Sequence, residues 1–160
     1  MRILVAAVGR QRAGAERDLV NRYAERIRRS GATVAINALD IVEIEESRAQ
    51  DSALRKQQEA AKLRQAVPAG SIVVALDERG KALTSRDFAA RVARWRDDGN
   101  PSISFILGGP DGLDSSIRKE AQATFSFGAA TWPHMLARVM LMEQLYRATT
   151  LLSGHPYHRD

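Results

Sequence analysis

The sequence contains no cysteine, only three histidines and few aromatic residues, which make up 6% of its 160 positions. The absence of cysteine excludes disulfide frameworks, thiolate nucleophiles and cysteine-ligated zinc, and it agrees with a reducing compartment. Long hydrophobic runs are also lacking, because the longest apolar segment, 132–152, is interrupted by Arg138, Glu143 and Arg147. We therefore expect no membrane span, no signal peptide at the start of the chain, and a cytoplasmic location.

Basic residues outnumber acidic residues in this chain. The formal net charge is +5, and 13 of the 24 basic residues lie in the first 64 positions. Such a balance is compatible with a polyanionic partner such as RNA. Arginine on solvated helix faces is an equally good explanation, so the charge alone does not decide between the two.

Hydrophobic segments of strand length alternate with helical patterns along the whole chain. The predicted strands are 2–8, 33–42, 71–77, 102–107 and 124–127. The predicted helices cover 15–30, 51–66, the segment between Thr84 and Gly99, 114–123 and 133–152. Gly31 is predicted to end the first of these helices as a left-handed residue. Such alternation favours a mostly parallel sheet of five or six strands with helices on both faces. The length of 160 residues predicts one domain, 1–160.

Ligands of open parallel sheets bind at the carboxyl ends of the strands, which directs attention to the loops 77–83, 108–113 and 128–133. The second loop, Gly-Gly-Pro-Asp-Gly-Leu, lacks the spacing of a P-loop or of a dinucleotide fingerprint, and a tight structural turn explains it equally well. Together with the third loop it could form a cleft for an adenine-like ring. Trp132 in that third loop fits such a cleft, although core packing is the simpler explanation.

The last predicted helix and the tail that follows it carry an unusual composition. The helix is apolar nearly all round, which predicts a second subunit covering one of its sides. The tail, His-Pro-Tyr-His-Arg-Asp, holds two of the three histidines. A general base, a phosphate contact or a stacking neighbour of a base suits imidazoles beside Tyr157 and Arg159, and a solvated tail is the alternative. Without cysteine or regularly spaced carboxylates, we expect no metal site.

Four segments in order resemble one known family: LDERGK (76–81), FILGGPDGL (105–113), TWPHMLARVMLMEQLYRA (131–148) and GHPYHR (154–159). They are similar to the small ribosomal RNA pseudouridine N3-methyltransferases of the SPOUT superfamily, and the resemblance covers essentially the whole chain. It implies an α/β fold with a C-terminal trefoil knot that forms an S-adenosylmethionine site at a homodimer interface. General rules of topology disfavour knots, so this expectation rests on the resemblance alone.

The resemblance also implies residue roles. The family commonly has Leu-Ser where this chain has Phe127-Gly128, so backbone contacts are expected there in place of a hydroxyl contact. The implied cofactor contacts are Leu76, Gly108, Phe127, Gly128, Ala129, Ala130, Thr131 and Trp132. The implied catalytic residues are His134, Arg138, Tyr157, His158 and Arg159.

The implied reaction transfers a methyl group from S-adenosylmethionine to N3 of a pseudouridine in a large-subunit rRNA stem-loop, with the 70S ribosome as substrate. The tail would close over the extruded base on the partner subunit, with Tyr157 stacking, Arg159 holding phosphate or a uracil oxygen, and His158 or His134 assisting proton removal. Two other functions stay open at this point. One is a non-enzymatic RNA-binding factor on the same fold, and the other is a small α/β enzyme that uses a nucleotide or flavin.

Overall fold

The computed structural model describes residues 1–158, in which five strands alternate with five α-helices. The elements are β1 (Arg2–Val8), α1 (Ala15–Ser30), β2 (Ala38–Ile44), α2 (Ser52–Ala66), β3 (Ile72–Ala82), α3 (Ser85–Asp97), β4 (Ser102–Leu107), α4 (Ser115–Glu120), β5 (Ala123–Ser126) and α5 (His134–Leu152). This order confirms the predicted βα alternation. Within these described residues, no helix is both long enough and apolar enough to cross a membrane.

The five strands form one sheet in the order β2-β1-β4-β3-β5, and every neighbouring pair is parallel. The strand β1 shows how the sheet divides the core, because its successive side chains point to opposite faces. Ile3 and Val5 pack with α1, α3 and α5, whereas Leu4 and Ala6 pack with α2 and α4. The predicted α/β sheet with helices on both faces is therefore confirmed, with five strands.

Helix boundaries follow local sequence signals. Asp51, Thr84 and Asp114 precede α2, α3 and α4, and the side chain of each accepts a hydrogen bond from a backbone N–H of the first turn. Such caps satisfy donors that have no partner inside the helix. Thr84 and Asp87 are joined twice, because the Thr84 hydroxyl accepts from the Asp87 backbone N–H at 3.1 Å and donates to the Asp87 carboxylate at 2.8 Å.

Two strand predictions were wrong in their bounds. The segment 31–34 forms a short 3-10 helix, and Ala35 then takes a left-handed conformation with φ of 56°, so β2 begins only at Ala38. Gly31 was predicted to be left-handed, but its φ is −62°. The strand β3 continues through the predicted loop 77–83 as far as Ala82, because its pairing with β5 resumes after a register shift.

The helix α5 packs between α1 and α3 of its own chain. Tyr146 lies against Tyr23 of α1 with 6.0 Å between ring centroids, and the Ser85 hydroxyl of α3 donates to Gln144 at 2.8 Å. Much of the cover predicted from a second subunit therefore comes from within the chain. Leu136 nevertheless remains 39% exposed. The homodimer and the trefoil knot stay predictions.

Candidate active site

An open cavity of about 940 Å³ lies at the carboxyl ends of β3, β4 and β5. We name it the strand-end cavity. Its walls come from the end of β3, the glycine turn after β4, the turn after β5 and the start of α5. Seven of the eight predicted cofactor residues line it, and Ala129 does not. The seven are Leu76, Gly108, Phe127, Gly128, Ala130, Thr131 and Trp132.

The turn after β5 presents backbone to the strand-end cavity and is held by its own hydrogen bonds. The Gly128 N–H donates to the Ser126 hydroxyl at 3.2 Å, and the Trp132 indole N–H donates to the Phe127 carbonyl at 3.3 Å. Gly128 has φ of +99°, a conformation that glycine adopts without steric cost, and a Cβ there would meet no atom within 4 Å. The turn therefore offers accessible peptide groups between two aromatic side chains.

The opposite wall of the strand-end cavity carries charged pairs. Asp77 accepts from Arg118 at 3.0 Å, and its side chain is only 7% exposed. In the glycine turn, the Arg55 guanidinium holds the Asp111 carboxylate at 2.6 and 3.1 Å, and this hydrogen bonding lowers the pKa of Asp111. Ion pairs therefore fix the end of β3 and the glycine turn before any ligand binds. Apolar surfaces, free peptide groups and fixed charges together suit a cofactor that carries an adenine ring.

A second open cavity, of about 780 Å³, lies beyond the ends of β1 and β2. We name it the arginine cavity after Arg10, Arg12 and Arg48. Its position was missed by the sequence analysis, which directed attention only to loops after later strands. Its walls are Arg10, Gln11, Arg12, Ala13, Glu16, Glu45, Glu46, Ser47, Arg48, His134 and Met135. Only His134 lines both cavities, so this side chain stands where they adjoin.

The His134 imidazole is half-buried where the two cavities adjoin. Its Nε2 atom is buried without a hydrogen-bond partner and lies 3.9 Å from the Glu46 Oε1 atom. Burial lowers the pKa of His134, the nearby Glu46 carboxylate opposes that effect, and Arg138 adds to it. The imidazole is therefore neutral near pH 7. Within residues 1–158, no group of three or more histidine, aspartate or glutamate side chains is arranged to hold a metal ion.

Arg138 lines neither cavity and lies beneath the turn that follows β1. Its side chain is 1% exposed, and it donates to Glu43 at 2.6 Å, to the Val8 carbonyl at 3.1 Å and to the Gly9 carbonyl at 2.8 Å. Burial lowers its pKa, whereas Glu43 acts in the opposite direction. The same carboxylate accepts from the Gln11 backbone N–H at 3.1 Å. Arg138 therefore fixes the turn that forms the arginine cavity.

Tyr157 and His158 of the C-terminal tail lie along α5 of their own chain, away from both cavities. The Tyr157 ring packs edge-on against Tyr146 with 4.7 Å between centroids, and the Arg147 guanidinium lies 5.0 Å from its centroid. The Tyr157 hydroxyl donates to Glu143 at 3.3 Å. Desolvation is the main cause that raises the pKa of Tyr157 to about 12, so the phenol stays protonated at neutral pH.

The remaining tail residues follow the same arrangement. The His158 Nδ1 atom lies 3.1 Å from the Arg147 guanidinium, and Arg147 forms an i,i+4 ion pair with Glu143. Arg159 lies outside the described residues. One chain therefore brings His134 to the strand-end cavity, but it does not bring Tyr157 or His158 there.

Comparison with known proteins gives a family and a fold. A family model described as "Predicted SPOUT methyltransferase" matches residues 1–158. Two relatives, from Rhodopseudomonas palustris (strain HaA2) and Xanthobacter autotrophicus (strain ATCC BAA-1158 / Py2), are each 52% identical over 99% of both chains. Both are named "Ribosomal RNA large subunit methyltransferase H". A solved structure, "Probable Methyltransferase from Bordetella pertussis Tohama I", matches 92% of this chain and 95% of its own with a TM-score of 0.51 and 16% identity, which supports the fold.

Proposed function

The chain belongs to the SPOUT methyltransferase family, and we propose that it methylates N3 of a pseudouridine in a large-subunit rRNA stem-loop of the assembled ribosome. It is a methyltransferase, and S-adenosylmethionine is its methyl donor. The observation that carries the rRNA assignment is the full-length, 52% identity to relatives named as large-subunit rRNA methyltransferases. The proposal goes further than these names in giving N3 of pseudouridine as the acceptor atom and the 70S ribosome as the substrate.

The strand-end cavity is the proposed cofactor site. Leu76, Phe127 and Trp132 provide apolar surfaces for the adenine ring, and the peptide groups around Gly128 provide hydrogen bonds to its edge. When bound there, S-adenosylmethionine supplies an activated methyl group on sulfonium. The side chains of this chain then have two tasks, which are to hold the acceptor in line and to remove the N3 proton.

We assign proton removal to His134 in preference to His158. His134 lines the strand-end cavity, and its neutral imidazole carries an Nε2 atom without a hydrogen-bond partner. His158 of the same chain lies against Arg147 on the outer side of α5. Arg138 is assigned a positioning role, because it supports the turn after β1 and reaches neither cavity.

The remaining proposed residues act across a homodimer. Tyr157 and His158 lie outside the cavities of their own chain, so these two residues, together with Arg159, would complete the site of the partner subunit. Exposed apolar surface near the strand-end cavity supports such an interface, because Trp132 is 43% and Leu136 is 39% exposed. We place this single-domain homodimer in the cytoplasm, where ribosomes are assembled.

Transfer of radiolabelled methyl tests the proposal. Ribosomes and isolated 50S subunits are taken from cells that lack this protein and are incubated with labelled S-adenosylmethionine. We expect label in the large-subunit rRNA of 70S ribosomes. If the protein binds S-adenosylmethionine in calorimetry but labels neither particle, the proposed rRNA acceptor is refuted. A chain that does not bind it at all would support the alternative of a non-enzymatic RNA-binding factor.

A further inference from the structure

The arginine cavity has no role in the proposed function so far. It opens directly beside the strand-end cavity, because His134 lines both. Its walls come from the segments that follow β1 and β2, at the edge of the sheet where ligands of parallel sheets bind. Its volume of about 780 Å³ is sufficient for a nucleotide. A methyl acceptor has to lie next to the methyl donor, and this cavity has that position.

Two polar atoms in the wall residues of the arginine cavity lack hydrogen-bond partners. Gln11 is only 7% exposed, and its side-chain Nε2 atom is buried without an acceptor. The backbone N–H of the same residue is satisfied by Glu43, so the loop itself is fixed. The His134 Nε2 atom is the second unpartnered atom. Buried polar groups without partners are rare in folded proteins. Rotation of either side chain toward the cavity would bring its nitrogen to a ligand with complementary groups.

We propose that the arginine cavity binds the acceptor base, with the Gln11 side-chain N–H donating to a carbonyl of its imide edge and the His134 Nε2 atom accepting from N3–H. This inference rests on the proposed function. A uracil-type ring places an N–H between two carbonyls, so it matches a donor from Gln11 and an acceptor from His134. Cytosine has no N–H at N3 and leaves the imidazole unsatisfied. Gln11 is a specificity-determining residue when its acceptor is the C4 carbonyl, because cytosine has an amino donor at that position.

The proton step balances with the groups present. The N3–H bond breaks, the proton passes to His134 Nε2, and the electron pair stays on N3. That pair forms the bond to the methyl carbon, whose bond to sulfur breaks with its electrons remaining on sulfur. The resulting imidazolium faces the Glu46 carboxylate, which lies 3.9 Å from Nε2. The carboxylate therefore stabilises the charge that His134 acquires.

The charges of the arginine cavity suit a neutral base inside and phosphate at the rim. Three carboxylates, Glu16, Glu45 and Glu46, share the cavity with the three arginines, which disfavours a free anion in its interior. Arg10 pairs with Glu45 at 3.2 Å, but both side chains are about two-thirds exposed or more, at 70% and 67%. Exposed pairs of this kind contribute little and exchange readily for a phosphate contact.

The first test replaces Gln11 with methionine, and Gln57→Met on the exposed side of α2 is the matched control. Because the Gln11 side-chain N–H has no partner in the free protein, Gln11→Met should not lower the melting temperature. Its S-adenosylmethionine affinity should stay within about twofold of wild type. Its kcat/KM for methyl transfer to ribosomes should fall about tenfold, the value of one lost hydrogen bond. Gln57→Met should match wild type in all three measurements, and wild-type transfer by Gln11→Met would overturn the inference.

The second test uses uridine 5′-monophosphate and does not require methyl transfer. The side-chain amide of Gln11 is identified in the ¹⁵N spectrum by its absence from Gln11→Met. A saturable shift of that signal upon titration of the cofactor-bound protein is expected, with a smaller shift for cytidine 5′-monophosphate. No shift up to about 10 mM would overturn the inference, because millimolar sites saturate there. If wild type fails to methylate ribosomes, this titration alone decides the role of the cavity. If Gln11→Met fails to fold, Gln11→Glu, which also lacks the side-chain amide, identifies the signal instead.

Discussion

Replacement of Arg138 with methionine should destabilise the protein strongly, although the residue touches neither cavity. The change removes a buried guanidinium whose only carboxylate partner among the described residues is Glu43, at 2.6 Å. It also removes the donor to the carbonyls of Val8, the last residue of β1, and of Gly9, which follows it. Methionine has a similar length, so the test isolates the charge and the hydrogen bonds.

The structure sets the size of the effect. Breaking one partner of a buried ion pair costs about 3–5 kcal/mol. The Glu43 side chain is 31% exposed and retains its contact with the Gln11 backbone N–H, so its own penalty is small. The two carbonyls that lose a donor cost about 1 kcal/mol each. We therefore expect a loss of about 3 kcal/mol in the free energy of unfolding, at the lower end of that range.

Urea denaturation at one fixed protein concentration measures this loss, and a double-mutant cycle with Glu43→Gln measures the coupling. The double variant should be less destabilised than the sum of the single variants by about 2 kcal/mol. The exposed pair of Arg2 and Asp40, at 67% and 52% side-chain exposure, supplies the control. Arg2→Met should cost less than about 1 kcal/mol. An Arg138→Met loss no larger than that of the control, or strict additivity with Glu43→Gln, would refute the reasoning.

Three further predictions concern the site. Because burial lowers the pKa of His134 below its ordinary 6.5 and neutral imidazole accepts the proton, single-turnover methyl transfer should fall as pH drops through that lowered pKa. The free energy of unfolding should also fall as the pH drops, because the unfolded chain binds this proton more tightly than the folded chain. His134→Asn should remove this pH-dependent contribution, which thermal melts at several pH values measure. Gly128→Ala should lower the free energy of unfolding by about 1 kcal/mol, because this position has φ of +99°. The same change should weaken S-adenosylmethionine binding in calorimetry, and unchanged affinity would exclude this turn from the cofactor site. Removal of residues 155–160 should abolish transfer and leave cofactor affinity nearly intact, and full transfer by the truncated chain would contradict the role of the tail.

Sequence patterns predicted the parts of the fold that local chemistry determines. The helix α1 has the predicted bounds, because its buried Val20, Ala24 and Ile27 recur at helical spacing. The central strand β4 also has its predicted bounds, since all six of its residues are buried and four of them, Ile103 and Phe105 to Leu107, are apolar. The strands β2 and β3 depart from prediction because tertiary pairing decides them. No local signal marks Ala35 as left-handed, and only the pairing with β5 extends β3 to Ala82.

The candidate site shows the same division. Seven of the eight cofactor residues that the resemblance implied line the strand-end cavity. The arginine cavity was missed, because Gly9 to Ala13 reads in the sequence as a short charged linker. Only the fold shows that Gly9 lies beside α5, where a Cβ would come within 3.3 Å of the His134 Nε2 atom. The glycine permits the close approach that joins the first turn of the chain to the last helix.

The most direct test of the central claim is mass spectrometry of the nucleosides from large-subunit rRNA, purified from cells that lack this protein and from the same cells after its expression. We expect N3-methylpseudouridine to be absent from the first sample and present in the second. We also expect 70S ribosomes from the first sample to gain this nucleoside in vitro with S-adenosylmethionine and pure protein. Methylation of a different base or a different atom, or an unchanged nucleoside profile in both experiments, would contradict the account.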